Sequence, residues 1–289
     1  MNVSDVAWVF VCQSGRLEQE ACVLAASLRK MLGTEAKLIA AIPLPERVMK
    51  SVAKSTVDFL ESIDVSCRRF TNRLFEEGFP GYRGSMLMMN KPYAIELESD
   101  ARVTVFLDSD QICIAPFELL NLSVPMIGRC VYYAGAKAVD GLWERAFQIC
   151  DTNVPRQRNL IQRNKSGPPV IVTFPFFNGG FISIHRAWMH AFLSNYINCY
   201  KRISDHNILG GKRYFEEELA LAIAVIKTEV PYEIDRHRLN KSFMHYIDTS
   251  RLADVADRVK YVNDLTVEFS GLREVLEMEE AWKKIIETC

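Results

Sequence analysis

No stretch of this 289-residue sequence reads Gly-x-x-x-x-Gly-Lys-Ser/Thr, and none forms a tight Gly-x-Gly-x-x-Gly turn, so neither ATP hydrolysis nor a dinucleotide site has support. A Gly-x-Ser-x-Gly elbow is missing too, which removes the usual α/β-hydrolase signature. The eight cysteines never pair as Cys-x-x-Cys. Cys12, Cys22, Cys67, Cys113, Cys130, Cys150, Cys199 and Cys289 are scattered, mostly inside apolar runs, and read as free buried thiols of a reducing compartment. No apolar run is long enough to span a membrane. The first residues carry Asp5 and no basic region ahead of a short apolar run, which does not read as a secretory signal. Neither sign of charge dominates. Lys and Arg total 35 against 36 Asp and Glu, a net charge of −1, which argues against a nucleic-acid partner. Internal repeats and low-complexity tracts are also absent.

What remains is ordinary globular composition, 49% hydrophobic and 25% charged. The expectation is a cytoplasmic protein that touches the inner face of a membrane at most from the side. Val6 to Cys12 is a continuous apolar run and reads as a strand buried on both faces. A helical pattern from Leu17 to Leu32 comes next, with Gly33 as its stop. Ala36 to Ile42 reads as a second strand ended by Pro43 and Pro45, Glu46 to Ser62 as a helix, and Asp64 to Phe70 as a weaker strand. Gly78 to Gly84 reads as a loop, Ser85 to Ser99 as a helix, and Arg102 to Asp110 as the best strand of the chain. This alternation predicts an α/β fold with a largely parallel sheet and helices on both faces.

Beyond Asp110 the order loosens. Gln111 to about Pro116 reads as a short strand and Val139 to Asp151 as a helix. Thr152 to Pro169 is a polar, basic loop or lid carrying Arg156, Arg158, Arg163 and Lys165. Two apolar strands flank an Asn-Gly-Gly turn. Helices are expected over Ala187 to Arg202, Phe215 to Thr228 and Leu272 to Glu287. The expectation is one domain over 1–289, with a nucleotide-binding half (1–125) and an acceptor half (126–289).

The sharpest chemical signal is "VFLDSDQI". Asp108 and Asp110 come directly after an apolar strand, where ligands of open α/β sheets bind. Two carboxylates one residue apart can turn toward a hard cation such as Mg²⁺ or Mn²⁺ once the pleat breaks. Asp-Ser-Asp is also turn chemistry.

Three segments resemble, in order, those of GT-A-fold nucleotide-sugar glycosyltransferases near the glycogenin-like and related bacterial families. They are "NKPYAIELESDARVTVFLDSD", "FPFFNGGFISIHR" and "EEELALAIA", and the resemblance covers Trp8 to Arg251. It implies a GT-A (Rossmann-like) mixed, mainly parallel sheet flanked by helices, with an elaborated C-terminal half. It also implies transfer of a sugar from a nucleoside-diphosphate sugar, with UDP-sugars favoured, to a hydroxyl acceptor that could be a glycan, lipid-linked sugar, protein or small molecule.

By that resemblance Asp108 and Asp110 hold the metal, Cys12 and Gln13 line the base pocket, and Lys91 reaches the diphosphate or sugar. Ser109, between the two acids, is counted with the donor-binding residues. Asn178, Gly179 and Gly180 approach the donor or acceptor sugar, and Glu217 aligns with an acidic position of the family, with Glu218 beside it. His245 stands where the family has a metal-ligating His, and Arg251 where it has a diphosphate-binding Lys. Asp248 replaces the Gly between them. Each assignment has a structural alternative: a solvated helix residue for Lys91, a hairpin turn for Asn178–Gly180, a helix-dipole interaction for the Glu pair, a surface or core His for His245. Retention of configuration is mildly favoured; an inverting enzyme would use Glu217 or Glu218 as base. A sugar nucleotidyltransferase and a non-catalytic sugar-nucleotide-binding protein are the competing functions.

Overall fold

The computed structural model describes residues 2–97, 100–117, 122–130, 141–155, 160–163, 169–171, 177–210, 215–234, 243–245 and 255–277. The strands are β1 (Val6–Val11), β2 (Lys37–Leu44), β3 (Val65–Thr71), β4 (Val103–Leu107), β5 (Gln111–Cys113), β6 (Met126–Cys130), β7 (Leu160–Arg163), β8 (Pro169–Ile171), β9 (Phe177–His185), β10 (Tyr232–Ile234) and β11 (Phe243–His245). The α-helices are α1 (Arg16–Leu32), α2 (Glu46–Met49), α3 (Lys54–Ser62), α4 (Arg73–Glu76), α5 (Arg83–Met88), α6 (Asn90–Ile95), α7 (Leu142–Ile149), α8 (Arg186–Asp205), α9 (Glu216–Thr228), α10 (Val255–Glu268) and α11 (Ser270–Glu277).

The main sheet has seven strands in the order β10-β6-β9-β4-β1-β2-β3. Its pairings are parallel except for β9, which runs antiparallel to both β4 and β6. The expected α/β class with a mixed, mainly parallel sheet is what the chain adopts, and strands from both halves share it. β1 shows why an uninterrupted apolar run belongs in the middle. Ala7, Val9 and Val11 face a core shared with α6, α7, α8 and α9. Val6, Trp8 and Phe10 face a second core shared with α1, α3, α10 and α11. Period-two alternation thus buries both faces. No helix among the described residues is long and apolar enough to cross a membrane. Cys12, Cys22, Cys67, Cys113, Cys150 and Cys199 are free thiols.

Several local expectations need correction. β2 runs through Pro43 to Leu44. Its pairing with β1 ends at Ala41, so beyond that point only β3 flanks it and a residue without N–H is tolerated. The helix expected over Glu46 to Ser62 is two helices, α2 and α3, broken at Lys50, which takes φ 61. The one expected from Ser85 to Ser99 is α5 and α6. Pro92 sits in the first turn of α6, where a missing N–H costs nothing. Asn178, Gly179 and Gly180 form no hairpin turn: they lie inside β9, where its register with β6 shifts at Gly128 and Arg129. The basic loop contains a small antiparallel ladder, β7 with β8. Its residues 156–159 and 164–168 lie outside the described residues, as does the expected helix beyond Glu277.

One buried cation fastens the start of the sheet. Arg29, 6% exposed, donates to the five carbonyl oxygens of Ile63, Gly33, Thr34, Ala36 and Asp64 at 2.7–3.1 Å. The end of α1 and the entries to β2 and β3 are thereby tied to one guanidinium. Arg29→Met keeps the length but orphans those acceptors. It should lower unfolding free energy by about 3 kcal/mol or more, read from urea midpoints; an unchanged midpoint would show that water replaces the guanidinium freely.

Candidate active site

β4 ends at Leu107, and three contacts shape the turn beyond it. The Asp108 N–H donates to the Gly180 carbonyl at 2.9 Å. The Ser109 hydroxyl donates to the Val11 carbonyl, and the Gln111 side-chain amide to the Gly180 carbonyl. Ser109 is therefore buried inward, and the acids on either side of it are half-exposed. The backbone itself turns Asp108 and Asp110 outward and leaves Ser109 a structural tie rather than a cleft residue.

Lys91, from α6, projects to the same point. Its ammonium lies 3.3 Å from Asp108 Oδ2 and 3.7 Å from Glu217 Oε2. The Lys91 side chain is 10% exposed, Glu217 3% and Asp108 28%, so the charge is buried with an opening on the Asp108 side. The solvated-helix alternative for Lys91 does not hold. Tyr196 of α8, wholly buried, donates its hydroxyl to Glu217 Oε1.

Gly179 makes this assembly possible. A Cβ there would stand 2.6 Å from Lys91 Nζ and 2.7 Å from Glu217 Oε1. One at Gly180 would stand 2.6 Å from Asn178 Oδ1 and 2.9 Å from Asp108 Oδ2. A side chain at either position would displace these polar groups, whereas bare backbone lets β9 lie directly against the ion pair. Asn178 is half-exposed, and its Oδ1 accepts from the Gly180 N–H at 2.7 Å.

Burial by itself would lower the Lys91 ammonium, but Asp108, Glu217 and Glu218 together outweigh it and hold the group above its ordinary value. Burial raises Glu217, while Lys91 and the Tyr196 hydroxyl pull it back. Burial and the neighbouring Glu217 push Glu218 up to about 8. Glu218 therefore carries a proton at neutral pH. On the opposite face, Glu20 of α1 is fully buried; Arg16 holds one oxygen at 2.8 Å and the other has no hydrogen-bond partner among the described residues. Burial, with Asp110 and Asp108 nearby, raises it to about 7.

The remaining sequence-predicted residues fall into three groups. Gln13 is half-exposed at the end of β1. The Cys12 side chain is fully buried in the core with Trp8 and Phe10, and burial pushes its thiol up, so it offers the cleft no side chain. β11 sets the His245 backbone opposite Gln111, the residue after Asp110; its side chain, and Arg251, lie outside the described residues. Sequence reasoning missed Tyr196 and Glu20. Tyr196 sits among Phe192, Leu193, Cys199 and Tyr200, a spacing that signals only a core face. A groove of about 550 Å³, lined by Arg73, Tyr93, Glu96, His190 and Lys201 among others, lies between α6 and α8, and none of the predicted site residues lines it.

Among the described residues no group of at least three His, Cys, Asp and Glu could hold a metal ion. Two half-exposed carboxylates do fit a hard cation that takes one or two protein ligands and completes its shell with phosphate oxygens and water.

The acids and the buried lysine gather beyond the carboxyl end of β4, where ligands of open α/β sheets bind. Residues 8–229 match the Rhodobacterales glycosyltransferase domain, and the chain belongs to that family; it is a glycosyltransferase. Among solved structures, the apo form of mouse xyloside xylosyltransferase 1 is similar over 80% of this chain and 83% of its own, at 9% identity and a TM-score of 0.46. No curated protein sequence matches the chain.

Two outcomes are expected of the buried acids. Tyr196→Phe removes a hydrogen bond that holds Glu217 down, so Glu217 should rise further. The acid limb of the kcat/KM–pH profile should then move to higher pH in a protein of unchanged circular dichroism; a superimposable profile would mean that Glu217 does not control turnover. Glu218 stays protonated to about pH 8 when folded but only to about 4.5 when unfolded. The folded state binds the extra proton between those values, so stability falls as pH rises through that window. Glu218→Gln should flatten the decline measured by urea titration at either end, and an undiminished slope would place the effect elsewhere.

Proposed function

We propose that this glycosyltransferase uses a nucleoside-diphosphate sugar, with UDP-sugars favoured, and delivers the sugar to a hydroxyl acceptor in the cytoplasm with a divalent cation bound at Asp108 and Asp110. The observation that carries this reading is the Lys91 ammonium held between Asp108 and Glu217 beside Gly179. A charge-compensated cation with one open side suits a diphosphate leaving group, whose negative charge grows as the glycosidic bond breaks. Mn²⁺ or Mg²⁺, when bound, would supply Lewis-acid stabilisation of that charge.

The chain's own residues do the rest. Lys91 supplies fixed positive charge in a site where burial keeps the effective dielectric low. Gly179 and Gly180 let β9 stand directly against Lys91 and Asp108, and the half-exposed Asn178 offers an amide at the rim of the site. The Ser109–Val11 and Gln111–Gly180 ties hold the two acids without demanding reorganisation during reaction. Glu217 has Lys91 near one oxygen and Tyr196 on the other and is nearly inaccessible. A base that must take a proton from an acceptor hydroxyl needs to reach it, so the burial of Glu217 supports retention over inversion with this residue as base. The acceptor would enter over the second half of the chain, 126–289.

A panel of nucleotide sugars, offered with Mn²⁺ and candidate hydroxyl acceptors, tests the reading by its products. Free nucleoside diphosphate is expected; pyrophosphate would indicate a nucleotidyltransferase, and neither would indicate a binding protein. Asp110→Asn should cost at least about 100-fold in kcat, the scale of losing one preorganised group that stabilises charge, while leaving the fold intact. Chelation should abolish turnover and Mn²⁺ restore it. Wild-type turnover by the variant would remove Asp110 from the metal site.

A further inference from the structure

Three side-chain amides run in series from the end of β3 to the end of β1. Asn72 is fully buried, Asn90 is 3% exposed and Gln13 is half-exposed. The Asn72 Oδ1 accepts from the Leu74 N–H at 3.2 Å, and its Nδ2 donates to the Met86 carbonyl at 3.0 Å and to Asn90 Oδ1 at 2.9 Å. Asn90 Nδ2 in turn donates to Gln13 Oε1 at 3.0 Å. The Gln13 NH₂ has no partner among the described residues.

The polarity of this series cannot reverse. A lone glutamine amide turns over at little cost, because its oxygen and nitrogen ends have the same shape. Here the first member is held by two backbone groups. A carbonyl can only accept and an N–H can only donate. Asn72 must therefore offer NH₂ to Asn90, Asn90 must offer its oxygen back and its NH₂ onward, and Gln13 must spend its oxygen inward.

We propose that Asn72 and Asn90 are positioning residues that lock the Gln13 amide with its NH₂ outward, so that the donor site reads a nucleobase by a keto oxygen and disfavours one with an amino group at that edge. Uracil is then preferred to cytosine, and guanine to adenine. This rests on the reading that a nucleotide-sugar's base lies at the carboxyl end of β1. A fixed donor rewards an acceptor and faces an amino group hydrogen to hydrogen, and such polar mismatches discriminate more sharply than apolar fit does.

Calorimetric titration of the full chain, in Mn²⁺, with UDP, CDP, GDP and ADP tests it, since uracil and cytosine exchange a keto for an amino group at C4, and guanine and adenine do so at C6. At least one keto nucleotide should bind about tenfold or more tightly than its amino counterpart, a conservative figure for one unmatched polar group. Gln13→Glu replaces the outward donor by an acceptor at a half-exposed position, and the keto preference should fall to about parity or below. Asn90→Asp can only accept, so Gln13 must turn its NH₂ inward and its oxygen outward, and the preference should shift toward CDP or ADP. An amino nucleotide bound tightest by the unaltered chain, or a keto preference that survives Gln13→Glu, would overturn the inference; so would an unchanged preference in a folded Asn90→Asp protein. Equal binding of all four would overturn it while leaving the nucleotide-donor reading intact. Binding of none would overturn both.

Discussion

The site is organised by one buried positive charge. An ammonium as enclosed as that of Lys91 is tolerable only with carboxylates beside it, and it has them from two elements, Asp108 after β4 and Glu217 in α9. Removing Lys91 would leave the buried Glu217 without its compensating charge, a change that costs about 3–5 kcal/mol in buried pairs. The requirement propagates outward. α6 must break from α5 to aim Lys91 inward, β9 must be bare of side chains at 179 and 180, and Tyr196 must satisfy the second oxygen of Glu217. Five elements, β4, α6, β9, α8 and α9, are therefore specified together by one electrostatic constraint.

Antiparallel β9 is the means by which the sheet meets that constraint. Inserted between β4 and β6, it brings Asn178–Gly180 alongside the acids that come after β4, and the Gly180 carbonyl accepts from both the Asp108 backbone and the Gln111 side chain. The same contacts orient the carboxylates before any ligand arrives, which is what electrostatic stabilisation of a leaving group needs.

Much of the first half of the fold was legible because its signals are local. β1, α1 and β4 are long, strongly patterned segments, and Asp108 and Asp110 stand out because acids have no packing reason to come after a strand buried on both faces. Asn-Gly-Gly misled. Its local chemistry favours a hairpin, but the close approach of Lys91 and Glu217, invisible along the chain, demands the same glycines inside a strand. Lys50 likewise breaks an apparently continuous helix with a backbone angle that nothing in its neighbourhood announces. β6, β10 and β11 are defined by partners far away in sequence. Tyr196, Asn72 and Asn90 carry no signal of their own, since an aromatic on an apolar helix face and an Asn at a helix start are ordinary.

The central claim is that the open side of the Lys91 pair receives a diphosphate. A crystal structure of the chain with Mn²⁺ and a nucleoside diphosphate tests it most directly. The account predicts phosphate oxygens within hydrogen-bond reach of Lys91 Nζ and the cation on Asp108 and Asp110. A diphosphate bound elsewhere, such as in the groove between α6 and α8, with Lys91 touching only its carboxylates, would contradict it.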